Sequence, residues 1–289
     1  VGRQQYDRYI DHAVINKSTY IYNMYPETDE LHREKIQNHA VTYIGSLVPT
    51  KGFHVLAAVW KTILKEVPDA TLNVVGNGKL YGRNSKLGKY NIAEDSYEKQ
   101  FMSGLTDDEG NILPSVHFWG VLGVEKNDVI RNTCVGVVNP TGRTETFGIS
   151  ALDFESMSVP VVTIAKGGFL DTVLNEKTGL LYGHTDDFAK DIIMLLKNDK
   201  LNEQYGRDGV QLCKKFTPDK IIKEWNRLFL KVLNDEKMEY IEPDSFMETN
   251  LKKYRCLNRK IKNAIGVEYP ISVIGAESFA RNVLRRMGK

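Results

Sequence analysis

The sequence contains little cysteine and no long apolar run. Its only cysteines, Cys134, Cys213 and Cys256, lie far apart and form no Cys-x-x-Cys pair, which argues against a disulfide framework or a zinc site and favours a reducing compartment. The longest apolar runs, such as residues 159–165, are far below the ~18 residues that a membrane span needs. No signal-peptide pattern opens the chain, so we expect a cytoplasmic protein, soluble or peripheral to a membrane.

The sequence also has little net charge. The formal value of +2 is too small to predict nucleic acid as a partner. Apolar residues make up 42% of the chain and charged residues 26%, a composition typical of folded globular proteins. The histidines show no metal-ligand spacing, and we expect neither a metal nor a cofactor.

Short β-branched runs alternate with stretches of helical period from residue 42 onward. Residues 42–46 read as a buried strand, and the apolar residues of 53–67 recur at intervals of three and four, as in an amphipathic helix. This alternation is typical of βαβ units around a parallel sheet. We therefore predict an α/β fold, a Rossmann-like parallel sheet of at least five strands with helices on both faces. Its other strands include those at 116–120, 134–140 and 159–165, and its closing helices lie at 186–198, 200–214 and 218–234.

The pattern divides the chain into three parts. Residues 1–41 hold enough pattern for one or two strands, at 13–16 and 19–22, and are expected to be the remnant of an N-terminal domain and its linker. Residues 42–235 form the Rossmann-like domain, and residues 236–289 a basic helical C-terminal extension.

Two segments stand out from the βα pattern. Residues 82–113 are rich in Gly, Asn, Lys and acidic residues, and we predict a surface insertion there rather than a core element. The tail from residue 249 holds ten Lys or Arg against two Glu, which predicts a basic amphipathic helix. Its apolar residues at helical spacing are Leu251, Tyr254, Leu257, Ile261 and Ile265.

Five sequence segments follow one another along the predicted domain. They are YIGSLVPTKG at 43–52, NVVGNGKLYG at 73–82, VHFWGVLG at 116–123, NPTGRTETFGISALDFESMSVPVV at 139–162 and AKGGFLDTVLNEKTGLL at 165–181. Together they resemble the retaining glycosyltransferases of family 4, whose GT-B fold has two facing Rossmann-like domains. The resemblance covers roughly residues 40–235 and implies that this chain is the C-terminal, donor-binding domain of that fold.

The sharpest motif is Glu145-Thr-Phe-Gly followed by Asp153, which matches the family's two acidic residues separated by seven. The resemblance implies that Glu145 binds donor-sugar hydroxyls at the catalytic centre and that Asp153, a glutamate in the family, binds the ribose. Carboxylates suit both roles because they accept hydroxyl protons in charge-assisted hydrogen bonds. Glu155 is expected to point elsewhere on the helix. The alternative is that the acidic residues of this motif only stabilise the first turn of a helix through its dipole and bind no ligand.

Lys51, which precedes Gly52, matches the family lysine that neutralises the donor diphosphate. A compact ammonium on a flexible stem suits that role. Five residues earlier the family usually carries arginine, and this sequence has Ser46. The chain therefore lacks one of the two cations with which the family binds the diphosphate. Either Arg143 or Lys166 compensates for it, or donor binding is weaker or differently arranged.

Glycine-rich turns follow several of the predicted strands. Absent side chains let the backbone approach a ligand closely, and free N–H groups at a helix start attract anions. We expect the free N–H groups of Phe147 and Gly148 to face the donor. The other predicted substrate-binding positions in these loops are Gly45, Gly76, Asn77, Gly120, Val121, Gly167 and Gly168, beside Ser46.

The resemblance implies a glycosyltransferase of the hexosyltransferase class in polysaccharide biosynthesis, using a UDP-sugar in preference to a GDP-sugar. The acceptor, a glycan or a lipid-linked glycan, is expected to bind through an N-terminal domain that this chain does not contain. Without it we expect no transfer. The alternative is a non-catalytic or split-subunit module that binds nucleotide-sugar. The basic tail either holds the protein on the anionic inner face of the membrane or packs against the absent domain.

Overall fold

The computed structural model describes residues 2–26, 38–78, 86–239, 241, 251–266 and 272–287. The strands are β1 (Ala40–Ile44), β2 (Thr71–Val75), β3 (Val116–Gly120), β4 (Val135–Val137), β5 (Val161–Ile164) and β6 (Gly179–Tyr182). The helices are α1 (Arg3–Asp7), α2 (Phe53–Glu66), α3 (Asp95–Met102), α4 (Lys126–Arg131), α5 (Ile149–Glu155), α6 (Phe169–Thr172), α7 (Thr185–Lys197), α8 (Asp199–Cys213), α9 (Pro218–Leu233), α10 (Lys252–Ile265) and α11 (Val273–Arg286), with 3₁₀ helices at Ala13–Lys17 and Pro49–Lys51.

The strands of the described residues form one parallel sheet in the order β3-β2-β1-β4-β5-β6. Tyr43 in β1 pairs with Val74 on one side and Val137 on the other. The predicted parallel α/β sheet is confirmed, and β6 extends it beyond the strands expected from the sequence. Its four residues are all buried, but so short an apolar run carries no periodicity that separates strand from loop.

Hydrophobic clusters cover both faces of the sheet, as predicted. On one face α2 buries Phe53, Leu56, Trp60 and Ile63 completely, at the three- and four-residue spacing of a helix packed along one side. On the other face α5 and α6 contribute the fully buried rings of Phe154 and Phe169. The sheet is therefore held between two apolar layers, and its strand ends are left to form a site.

The prediction of a surface insertion at 82–113 is wrong for residues 86–113; residues 82–85 lie outside the described residues. Helix α3 places Tyr97 and Phe101 in the core, and Leu105 follows them at the same spacing. The buried carboxylate of Glu98 accepts hydrogen bonds from the backbone N–H groups of three residues in the preceding turn. A polar composition thus hid an apolar i, i+4, i+8 stripe.

The chain divides into two compact units, one of residues 25–217 and one that joins residues 1–24 to 218–289. The second unit groups both termini with α9, where the sequence suggested separate N-terminal and C-terminal parts. The predicted strands at 13–16 and 19–22 are wrong. Residues 13–17 form a 3₁₀ helix whose start is capped by His12, and residues 18–26 run without strand pairing.

The basic tail forms the helix α10 in the described residues, and four cations of this helix, rather than its apolar residues, are buried. Lys252 pairs with Asp7 at 2.6 Å, and Arg255 pairs with Glu277 at 2.8 Å. Arg259 and Lys262 donate to backbone carbonyls of residues 10–12. These four cations are buried, while the apolar stripe of Leu251, Tyr254, Leu257, Ile261 and Ile265 faces solvent.

Candidate functional site

The candidate site lies where the parallel strands end. The carboxyl ends of β1, β2, β3, β4 and β5 share one edge of the sheet, the edge at which ligands bind in open α/β folds. The loops that follow these strands carry the residues that the sequence singled out. They begin at Gly45, Gly76, Val121, Val138 and Ala165.

The two predicted catalytic residues, 94 positions apart in sequence, meet at this edge. The Lys51 ammonium lies 3.0 Å from the Glu145 carboxylate, and both side chains are largely shielded from solvent. Asn139 donates to the same carboxylate oxygen at 3.3 Å, and the Gly148 N–H donates to the other at 3.0 Å. Glu145 is thereby fixed in orientation with a cation beside it.

The expectation that the Gly148 N–H group is free for a ligand is wrong, because Glu145 occupies it. The ring of Phe147 is buried and packs against Phe216 at 5.3 Å between ring centroids. Thr172 also donates to the Phe147 carbonyl. This segment therefore holds Glu145 in place rather than presenting a row of open amides.

The loops after β1, β2 and β3 are joined by backbone hydrogen bonds. The Gly45 N–H donates to the Val75 carbonyl oxygen, and the Gly76 N–H donates to that of Gly120. The Leu47 N–H donates to the carbonyl oxygen of Asn77. A Cβ atom at Gly76, whose φ is +131°, would lie 2.1 Å from the Gly45 carbonyl oxygen. The predicted positions Ser46, Asn77 and Gly120 are thus brought together, and Val121 beside them is exposed.

The loop after β5 packs backbone to backbone against the Glu145 loop. Gly168 donates its N–H to the Glu145 carbonyl oxygen at 3.2 Å. A Cβ atom at Gly168 would lie 2.3 Å from the Phe147 nitrogen, and one at Gly167 would lie 2.6 Å from the Glu145 carbonyl oxygen. Both glycines serve this close approach.

Arg143 and Lys166 border the same edge and are exposed. A Cβ atom at Gly142 would lie 2.9 Å from that of Lys166, so the two loops touch. Burial and the nearby Arg143 charge together lower the pKa of His54, which lies in the first turn of α2. The Thr141 hydroxyl donates to the Thr50 carbonyl and ties this loop to the Lys51 turn. Two further cations therefore lie around Lys51.

Asp153 has partners that sequence reasoning missed. The Tyr25 phenol donates to one carboxylate oxygen at 3.1 Å, and the Lys126 ammonium lies 2.7 Å from the other. Neither residue belongs to a quoted motif, and no pattern in the sequence links them to Asp153. Glu155 turns away as expected: it is fully buried and accepts a hydrogen bond from Thr178, and burial raises its pKa well above the usual range.

Among the described residues, no three His, Cys, Asp or Glu side chains come together as a metal site. Within the same residues, no helix has the length and apolarity of a membrane span.

Residues 27–211 match the family model described as glycosyl transferases group 1. An uncharacterized glycosyltransferase of Methanocaldococcus jannaschii is 25% identical over 215 residues, which are 74% of this chain and 53% of that protein. The capsular polysaccharide biosynthesis glycosyltransferase CapM of Staphylococcus aureus is 26% identical over 183 residues, 63% of this chain and 43% of that protein. The chain spans about half the length of these curated relatives.

A solved structure of a TarM variant from S. aureus, in complex with fondaparinux, alpha-GlcNAc-glycerol and UDP, shares the fold. The TM-score is 0.58 at 19% identity, and the match covers 73% of this chain and 39% of that chain. The Rossmann-like domain of a GT-B fold, predicted from the motifs, is confirmed.

Proposed function

Because the chain belongs to the glycosyl transferases group 1 family, we propose that it is the donor-binding part of a retaining enzyme that transfers a sugar from a nucleotide diphosphate. The observation that carries the proposal is the approach of Lys51 to Glu145 at 3.0 Å at the carboxyl edge of the sheet. A cation and a carboxylate held side by side match two adjoining parts of a nucleotide-sugar, the diphosphate and the hydroxyl groups of the sugar bonded to it.

The chemistry of transfer follows from these two groups. The bond between the sugar carbon and the diphosphate oxygen breaks as the acceptor hydroxyl oxygen bonds to that carbon from the same face, and the hydroxyl proton passes to the leaving diphosphate. Negative charge develops on the leaving phosphate oxygen during this step. Lys51 is positioned to stabilise that charge, and a fixed cation in a partly shielded site costs no reorganisation during the reaction. Glu145 accepts hydrogen bonds from the donor sugar, while Asn139 and the Gly148 N–H keep its carboxylate oriented. Exposed Arg143 and Lys166 supply the cation that Ser46 does not.

We propose UDP-sugar as the donor, in preference to GDP-sugar, and a glycan or lipid-linked glycan as the acceptor. The TarM structure holds UDP and a sugar-glycerol compound, and CapM is named for capsular polysaccharide biosynthesis. Because this chain matches only 43 to 53% of the curated relatives, we place the acceptor site in the part of those proteins that it does not span. Transfer then requires that part, and the chain alone binds the donor without turnover.

The calorimetric titration of this chain with UDP, GDP and ADP tests the donor site. We expect UDP to bind saturably, and Lys51→Ala to weaken binding by about ten- to a hundredfold, because a charged hydrogen bond to phosphate contributes about 1.5 to 3 kcal/mol. Glu145→Ala should weaken the sugar conjugate of UDP more than UDP itself. Lys61→Ala, an exposed lysine of α2, is the matched control and should bind as the wild type does.

A non-catalytic nucleotide-sugar-binding module is the second candidate. It is favoured by Ser46 in place of the family's arginine and by Asp153, one methylene shorter than the family's glutamate. Saturable binding of a UDP-sugar with no transfer when the acceptor-binding part is supplied would support this candidate. A chain that binds none of the nucleotides would contradict the proposed donor site.

We further propose a cytoplasmic location with peripheral contact at the inner face of the membrane, through α10. Four of its cations are buried, so the electrostatic attachment expected from the sequence is replaced by contact through the exposed stripe at Leu257 and Ile261. Sedimentation with anionic vesicles should show binding that persists in high salt and is lost in Leu257→Asp. Binding that is lost in high salt would instead support attachment of the tail to anionic lipid by its charge. An absence of binding would favour packing of the apolar stripe against another protein segment.

A further inference from the structure

The Asp153 carboxylate lies at the meeting point of three segments that are distant in sequence. Tyr25 precedes the sheet, Lys126 is the first residue of α4, and Asp153 lies within α5. Both carboxylate oxygens are engaged, one by the Tyr25 phenol at 3.1 Å and the other by the Lys126 ammonium at 2.7 Å. The arrangement is a tertiary cluster and not a pair on one helix surface.

Tyr25 is a rigid member of this cluster. Its backbone N–H donates to the Phe216 carbonyl at 2.8 Å, and its side chain is buried. The phenol oxygen also lies 3.1 Å from the Ser156 hydroxyl. Burial, and after it the Asp153 charge, raises the pKa of the Tyr25 phenol well above the ordinary value for tyrosine. The phenol is therefore a neutral donor that fixes one oxygen of Asp153.

The Lys126 side remains open to solvent. The Lys126 side chain is 30% exposed and that of Asp153 is 16% exposed. An ion pair with this exposure contributes little to folding stability, so stability alone gives weak reason for its presence. A role for Lys126 in binding the ribose beside Asp153 gives a stronger reason for the pair.

The hydrogen-bonding capacity of the cluster fits a ribose diol. Each carboxylate oxygen accepts more than one hydrogen bond, and the ammonium carries three donors. Asp153 thus keeps acceptor positions for two neighbouring hydroxyl groups, while Lys126 offers a donor to their oxygens. A site built to bond a hydroxyl discriminates against an analogue that lacks it, since its own polar groups are then left unpaired.

We propose that Lys126 and Tyr25 hold Asp153 as a ribose-reading carboxylate, and that Lys126 determines specificity for ribonucleotides over deoxyribonucleotides. The inference rests on the proposed donor site and names how that site reads the nucleotide. Lys126 acts both on the ribose and by positioning Asp153.

Titration with UDP and 2′-deoxy-UDP tests the proposal. We expect wild type to bind UDP about tenfold more tightly than 2′-deoxy-UDP, because one charge-assisted hydrogen bond is lost. Lys126→Met should weaken UDP binding about fivefold and reduce the ratio between the two ligands to about twofold. Lys126→Arg keeps the cation and should retain most of the discrimination. Tyr25→Phe should also narrow the ratio, by a smaller factor.

The control is Lys190→Met, which removes an exposed lysine paired with Asp187 on α7 and should leave both affinities unchanged. Unchanged affinities in Lys126→Met would overturn the inference while leaving the donor site intact. Tighter UDP binding in that variant would also overturn it, since the ion pair would then compete with the ribose. A wild-type chain that binds neither ligand, nor any other nucleotide, would contradict the donor site itself.

Discussion

We expect Gly168→Ala to abolish saturable nucleotide binding and to lower the free energy of unfolding by about 1 to 3 kcal/mol. The added Cβ would lie 2.3 Å from the Phe147 nitrogen and 2.5 Å from its Cα atom. These are backbone atoms, which cannot rotate away as the end of a side chain can. The loop after β5 must therefore separate from the Glu145 loop, and the hydrogen bond between the Gly168 N–H and the Glu145 carbonyl is strained or lost.

Gly183→Ala provides the matched control, because a Cβ atom there would meet nothing within 4 Å. Calorimetry with UDP measures the binding, and urea denaturation measures the stability of both variants. Gly183→Ala should match the wild type in binding. Normal UDP affinity in Gly168→Ala would mean that the close approach of the two loops does not shape the site.

Arg255→Ala is expected to lower the stability of the unit formed by both termini by about 3 to 5 kcal/mol. The Arg255 side chain is 1% exposed, lies 2.8 Å from Glu277 and donates to the Arg8 carbonyl at 2.8 Å. It also lies 4.0 Å from the fully buried carboxylate of Asp11. Removing the guanidinium leaves these acceptors in the interior with less compensation, which costs more than the pair itself contributes.

Lys260→Ala is the control on the same helix, because Lys260 is exposed, and it should change stability by less than about 0.5 kcal/mol. Denaturation gives the global effect, and hydrogen exchange of residues 2–24 and 252–265 locates it. Equal protection of these segments in Arg255→Ala and Lys260→Ala would show that the buried cation is not needed to hold them together.

The sequence predicts the sheet well because each βα unit carries its own local signal. The helix of residues 53–67 shows a clear 3.6-residue period, and its buried face is the one that the period indicates. The motifs assign Lys51 and Glu145 separately to one donor site, each after a strand that ends at the same edge of the sheet, and they do not predict that the two side chains pair. Topology then brings them together without any signal between the two segments.

Tyr25 and Lys126 were missed for the opposite reason. They lie 128 and 27 positions from Asp153, and a contact over such a distance leaves no period and no motif in one sequence. For a similar reason the sequence does not predict which face of α10 is buried. Periodicity indicates an amphipathic helix, but which face is buried depends on the partner, and Asp7 and Asp11 lie some 250 positions away.

The hydrogen bond from the Tyr25 N–H to the Phe216 carbonyl joins the first and nearly the last residue of the unit of residues 25–217. The chain therefore enters and leaves this unit at one point, as in a domain insertion. Units with adjacent ends tolerate relocation and circular permutation, because the connections to the rest of the chain need not be rebuilt. The unit of residues 25–217 thus has the form of a segment that can be exchanged as a whole, and it is bounded at Tyr25, whose phenol donates to Asp153.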